Sequence, residues 1–321
     1  MKLVTIDCVA GGRPGAMLEN GDILHLERAA LSGTAEAWLP ATVRGILAAG
    51  QEGLDLVRRM VERVEAMEDR RPLRAAHAIL PAATRLLAPV PDPALILSVG
   101  QAYRSHLAEM KTEPPHEPHG FIKAASAVVG PDADVPLPPQ CPNMVDFEGE
   151  LCAVIGRTCH NVARAQAMDY VAGYTITNDV SARDWVRLIG EAKTTPQART
   201  AWDLNHMGKQ LPAFSPLGPA LVTKDEIADP GKLTLTTRLN GAVMQHAGTD
   251  DLIFSIAETL AHFSHWYTFQ PGDVVSTGTP AGVGYGRSPK VFLRPGDTVE
   301  VEVSGLGILR NRFVAGGPQG G

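Results

Sequence analysis

The 321-residue chain has few cysteines, no long apolar runs and no concentrated charge. Its four cysteines, Cys8, Cys141, Cys152 and Cys159, do not form the paired spacing of a zinc or redox motif. Cysteines so few and so irregularly spaced fit a reducing compartment better than a disulfide framework. No apolar stretch is long enough to span a bilayer. The opening Met1-Lys2-Leu3-Val4-Thr5-Ile6-Asp7 meets an acid before any signal-peptide core can form, so a cytoplasmic location without membrane partners is expected. Against 35 acids stand 29 lysines and arginines, a formal charge of −6, with no basic block. Nucleic acid is therefore excluded as the main partner. Thr277-Gly278-Thr279-Pro280-Ala281-Gly282-Val283-Gly284 lacks the Lys-Ser/Thr ending of a P-loop and is not a dinucleotide fingerprint. No Gly-x-Ser-x-Gly elbow occurs, which disfavours a serine triad. His116-x-x-His119 and His262-x-x-His265 have no third ligand nearby that would make them zinc sites. There is no internal repeat.

With 44% hydrophobic residues, the chain can bury a large core in one or two domains. Leu3 to Val9 and Asp22 to Leu26 read as short strands. From Ala41 to about Asp69 apolar residues recur at helical spacing, with Gly50 and Gly53 dividing the stretch into two helices. The Pro-containing segment Leu87 to Pro93 is the candidate linker. These features predict a small α/β domain over 1–90, followed by a strand-dense domain over 91–321. The whole is α+β but mainly β. Helices are expected within Val162 to Tyr170, Ser181 to Glu191 and Asp251 to His265. Lys232 to Leu239, followed by Asn240-Gly241, reads as a strand and hairpin turn. The Gly-rich end from Ala315 to Gly321 reads as a loose tail.

Asp146-Phe147-Glu148-Gly149-Glu150-Leu151 runs into the β-like Cys152-Ala153-Val154-Ile155. On a strand, residues i and i+2 share a face, so Glu148 and Glu150 project together. Paired carboxylates repel unless a cation lies between them. Asp179 ends a second β-like run and can complete a hard oxygen-ligand set suited to Mg²⁺. Glu300 and Glu302 repeat the Glu-x-Glu spacing in an alternating strand but have no third candidate ligand, and are read as structural. His106 and Glu109, three apart on a helical turn, share a face. Glu109 could then orient the imidazole and leave the other ring nitrogen as a general base.

The blocks "LILSVGQAYRSHLAEM", "VDFEGELCAVIG", "GYTITNDVSARDW", "SPLGPALVT", "RLNGAVMQ" and "PGDVVSTGTPAGVG" resemble the signature blocks of the fumarylacetoacetate hydrolase family, in the family's order, from Leu95 to about Gly286. The resemblance implies a β-roll catalytic domain, commonly homodimeric. It also implies a divalent metal, usually Mg²⁺ with Mn²⁺ or Ca²⁺ as alternatives, held by Glu148, Glu150 and Asp179. By the same resemblance His106 and Glu109 form a water-activating dyad in a lid, and Lys209 stabilises developing negative charge. Arg183, Thr279, Tyr103 and Lys123 are implied as substrate contacts. The chain departs from the family pattern at Ala102 (commonly Asn), Ser105 (commonly Asp), Ala124 (commonly Pro) and Val186 (often Gln). The leading functional expectation is Mg²⁺-dependent hydrolysis of a C–C bond in a 1,3-diketo acid such as an acylpyruvate, in aromatic catabolism. The alternative is a tautomerase or isomerase, decarboxylase or lyase acting on a related 2-keto acid at the same metal site. A third class is a non-catalytic binding protein that has kept the fold.

Overall fold

The computed structural model describes every residue except 10, 36, 37 and 318–321. One large sheet runs through the molecule. Its path passes from Ile79–Leu80 through Ile23–His25, Arg13–Met17 and Lys2–Ile6 to Ser215–Thr223, Val171–Asn178 and Gly149–Ile155, ending with Val274–Ser276, Ile96–Gly100 and His119–Lys123. The N-terminal unit is therefore not hung on a free linker. Its strand Lys2–Ile6 pairs antiparallel with Ser215–Thr223, Leu3 opposite Leu221, so both units share a hydrogen-bonded sheet.

The segment expected to be a linker is also pinned. Leu86–Leu87 pairs with Lys2–Ile6, and Ala88 and Val90 are buried. The Thr5 hydroxyl donates to the Pro89 carbonyl at 2.8 Å. Prolines hold this stretch extended and remove donors, but its apolar residues still fill the core. Arg13–Met17 was missed as a strand because Pro14 and Gly15 obscure its alternation. Two helices, Val43–Ala48 and Gly50–Glu65, cover the N-terminal strands. Val57, Met60 and Val64 lie on the buried stripe of the second helix, as their spacing dictates. Gly50 breaks the pair with a positive φ of 64°.

A second sheet of five strands runs in the order Ala242–Gly248, Thr234–Leu239, Thr298–Val303, Gly307–Ala315, Asp134–Leu137. Asn240 and Gly241, both at positive φ, make the hairpin turn read from the sequence. The larger core packs this sheet against the catalytic half of the first, joining Leu235, Val301 and Phe313 to Leu151 and Ile176. At Gly149 the two sheets touch: a Cβ there would stand 2.2 Å from the Thr237 hydroxyl. Only glycine fits between the two glutamates. Ala315 closes the last strand, and 318–321 of the expected tail lie outside the described residues. The architecture is α+β, mainly β, with a small N-terminal unit before residue 95.

Candidate metal centre and active site

Antiparallel pairing brings the three acids together. Gly149–Ile155 and Val171–Asn178 run in opposite directions with Gly149 opposite Asn178, so the start of one strand adjoins the end of the other. Glu148 and Glu150 sit at the first end and Asp179 just past the second. The Asp179 amide ties the ends by donating to the Glu148 carbonyl at 2.8 Å. One carboxylate oxygen from each of Glu148, Glu150 and Asp179 lies within 4.8 Å of the others, and all three residues are buried.

Three cations surround the cluster. Lys209 Nζ donates to Glu148 Oε2 at 2.6 Å and Asp179 Oδ2 at 2.8 Å. Arg183 reaches the other Glu148 oxygen and, at 3.0 Å, Asp146 Oδ2. Lys123 Nζ donates to Asp179 and, at 2.7 Å, to the Phe214 carbonyl. Burial works to raise the pKa of Glu148, but Arg183 and Lys209 outweigh it and hold the group well below the carboxylate range. Glu150 has no such pair. Burial and the neighbouring Asp179 and Glu148 charges push it well above its ordinary value. Burial would also neutralise Lys209, but Asp179 and Glu148 keep it charged.

Glu150 is held from its other side. The Ser276 hydroxyl and, at 3.1 Å, the Gly278 amide donate to its Oε2. The loop after Val274–Ser276 reaches this position because Gly278 adopts φ +86° against Ala102, where a Cβ would lie 2.7 Å from the alanine's own. Thr279 donates to the Gly149 carbonyl at 2.9 Å and accepts from Gln245 at 2.7 Å. An all-oxygen, buried set with one carboxyl that cannot ionise cheaply unless a cation is added matches a hard divalent ion.

The helix Arg104–Met110 brings His106 to the cavity beside the cluster. Its Nδ1 lies 3.3 Å from Glu109 Oε2, and Glu109 is itself fixed by the Gly282 amide at 3.0 Å. The ring's second nitrogen is left for other work. That cavity, of about 530 Å³, is lined by Glu148, Glu150, Asp179, Arg183, Lys209 and Thr279, among others.

Two residues expected to touch substrate do not line it. Tyr103 is wholly buried in the larger core, because its backbone bridges to Leu252 and turns the ring inward. Lys123 is consumed by Asp179 and Phe214, so it stands behind the cluster instead of facing the cavity. Several contributors were not read from the sequence. Asp146, which anchors Arg183 and accepts from the Gly284 and Tyr285 amides, opens the Glu-x-Glu block itself. Ser276 lies in the Gly-rich block. The 13-residue helix Thr195–Met207 supplies Trp202, Asn205 and His206 to the wall. It has little apolar periodicity and buries only Ala201. Its start was nonetheless marked by Thr194, whose side chain caps Gln197, and by Pro196 in the first turn.

Comparison with known proteins agrees with this geometry. The family model described as fumarylacetoacetate hydrolase, C-terminal, matches residues 95–314. The chain is 41% identical over 277 residues to the human (Homo sapiens) mitochondrial oxaloacetate tautomerase FAHD2B, covering 86% of this chain and 81% of that one. Fumarylacetoacetate hydrolase from the psychrophile Exiguobacterium antarcticum superposes with a TM-score of 0.76 at 30% identity, over 98% of this chain and 100% of that one. Maleylpyruvate hydrolase from Sphingobium sp. SYK-6, solved with manganese(II) and pyruvate, superposes with a TM-score of 0.71 at 28% identity, over 99% and 100%. Motif order, the paired sheets and the buried carboxylate cluster converge with these likenesses, and the chain belongs to the fumarylacetoacetate hydrolase family.

Proposed function

We propose that the protein interconverts the enol and keto forms of a small 2-oxo acid, with oxaloacetate as the reference substrate. The observation that carries this reading is the pairing of a buried three-carboxylate site with an oriented imidazole, in a chain 41% identical to a protein named as an oxaloacetate tautomerase. Glu148, Glu150 and Asp179 would hold a divalent cation, Mg²⁺ or Mn²⁺, which when bound supplies positive charge for the carboxylate and 2-oxo oxygens of the substrate.

The remaining work falls to the side chains. Glu109 fixes Nδ1 of His106, so Nε2 can pass a proton to or from C3 of the substrate. In ketonisation C3 gains one proton while the enol oxygen loses one. No water is consumed and no C–C bond breaks. The Lys209 ammonium, kept charged by its two carboxylate partners, stabilises negative charge on the enolate. Arg183 holds Glu148 and Asp146 in register, and Thr279, its hydroxyl tied to the Gly149 carbonyl and Gln245, forms part of the cavity wall.

Hydrolysis of a 1,3-diketo acid is the second reading. It is favoured by the likeness to maleylpyruvate hydrolase and needs the same groups plus a water activated by His106. The test measures both reactions with Mg²⁺-loaded protein. Enol-oxaloacetate should lose its ultraviolet absorbance faster than with Mg²⁺ alone, and acylpyruvates should release no pyruvate. Pyruvate release without accelerated ketonisation would replace the tautomerase reading with the hydrolase one.

A further inference from the structure

The carboxylate cavity continues into a second chamber of about 400 Å³. Both chambers are lined by Gln101, His106, Arg183, Trp202 and Asn205, so the passage between them runs beside the imidazole. The chambers differ in chemistry. All three acids and Lys209 belong to the first chamber. Leu107, Met110, Val186, Ile189 and Val283 belong to the second. Three structural elements build this apolar wall. Leu107 and Met110 extend from the helix that carries His106, Val186 and Ile189 from the helix Val186–Glu191, and Val283 from the Gly-rich loop.

A four-carbon diacid such as oxaloacetate, held at the carboxylate cluster, would leave this second space to water. A second carboxylate placed there would meet Arg183 as the one lysine or arginine among the lining residues, and that guanidinium is already shared between Asp146 and Glu148. An alkyl or aryl group would instead leave water for apolar contact on several sides. Val186 stands where the related family pattern often has Gln, which removes a polar group from this wall.

We propose that the second chamber is a binding site for an apolar distal group, and that the preferred substrates are 2-oxo acids with an unbranched alkyl or aryl tail beyond C3. The inference rests on the 2-oxo acid reading of the first chamber. It places the acid end at the carboxylate cluster, C3 beside His106, and the tail between Met110 and Ile189. The group transferred is still one proton, so the tail sets affinity and leaves the reaction unchanged.

The test is calorimetric titration of Mg²⁺-loaded protein with pyruvate, 2-oxobutanoate, 2-oxohexanoate and 2-oxooctanoate. Affinity should rise about fourfold per methylene, the transfer free energy of one buried CH₂ expressed as a ratio, until the chamber is full. Ile189→Asn and Val186→Gln should flatten that rise while leaving pyruvate affinity within about twofold. Both positions are only partly buried, so the variants should fold. Affinity that is flat or falls with chain length overturns the proposal, as does an undiminished rise in both variants. Failure of oxaloacetate ketonisation alongside a rising alkyl series would sink the tautomerase reading and leave the chamber assignment standing. If pyruvate itself does not bind, both fall together.

Discussion

At its N-terminal end the large sheet is covered by the helices Val43–Ala48 and Gly50–Glu65, and its buried side chains there are mostly aliphatic. A few strands away, where Gly149–Ile155 and Val171–Asn178 of the same sheet end, Glu148, Glu150 and Asp179 are buried, with Asp146, Lys123, Lys209 and Arg183 close around them. The hydrogen-bonded framework is shared, but the energetics are opposed. Burying Leu3, Ile46, Val57 or Met60 contributes roughly 1.5–3 kcal/mol for each large side chain. Burying a charge costs several kcal/mol, and the attraction of partners offsets that cost only when geometry is good. The N-terminal region thus contributes stability, while the acid-bearing end holds an electrostatic arrangement that needs a rigid support. The direct pairing of Lys2–Ile6 with Ser215–Thr223 connects the two.

The largest expected effect lies at the acid-bearing end. Chelation of divalent metal should reduce turnover to background, and Mg²⁺ or Mn²⁺ should restore it. Asp179→Ala should stay inactive even at saturating metal; full activity of that variant in chelator would break the comparison. Next is His106→Ala, expected to slow the chemical step about 10²–10⁴-fold while metal binding, read by calorimetry, barely changes. Loss of metal binding with retained turnover would place His106 among the ligands.

The N-terminal region should respond in the opposite way. Met60→Ala should cost about 2–5 kcal/mol of unfolding free energy, because a fully buried side chain leaves a cavity. Turnover per folded molecule should stay near wild type, and a proportional loss of turnover would show that the regions are not separable. The smallest effect is expected at the second Glu-x-Glu. Glu302 pairs with Arg238 at 2.7 Å, and both are partly exposed. Glu302→Gln should cost no more than about 1 kcal/mol and leave metal affinity unchanged.

That pair of motifs shows how far local sequence could be read. Period-2 spacing places Glu148 and Glu150 on one face as surely as Glu300 and Glu302. What distinguishes them is the antiparallel register with Val171–Asn178, a non-local pairing that only the flanking blocks hinted at. The amphipathic helix Gly50–Glu65 and the Asn240-Gly241 hairpin were legible because their signals are local. The joining of the two units was not, since the pairing of Lys2–Ile6 with Ser215–Thr223 spans more than two hundred residues. Thr195–Met207 was missed because its largely exposed faces leave little hydrophobic pattern. The immediate surroundings of Tyr103 and Lys123 were not legible in the sequence either. One turned into the core and the other was captured by Asp179, outcomes set by tertiary packing.

The most direct test of the central claim, that the buried acids are retained for a cation and not for the fold, is thermal unfolding of wild type and Glu150→Gln with and without Mg²⁺. Wild type should gain stability on adding Mg²⁺, since an ion bound only by the folded state shifts the equilibrium by mass action. Glu150→Gln keeps the shape and can still accept from Ser276 and Gly278, but removes the carboxyl that burial, Asp179 and Glu148 push well above its ordinary pKa. Without metal it should unfold at the wild-type temperature or above, and Mg²⁺ should leave it unmoved. A Mg²⁺-dependent rise equal to that of wild type, or a metal-free midpoint well below it, would contradict the account.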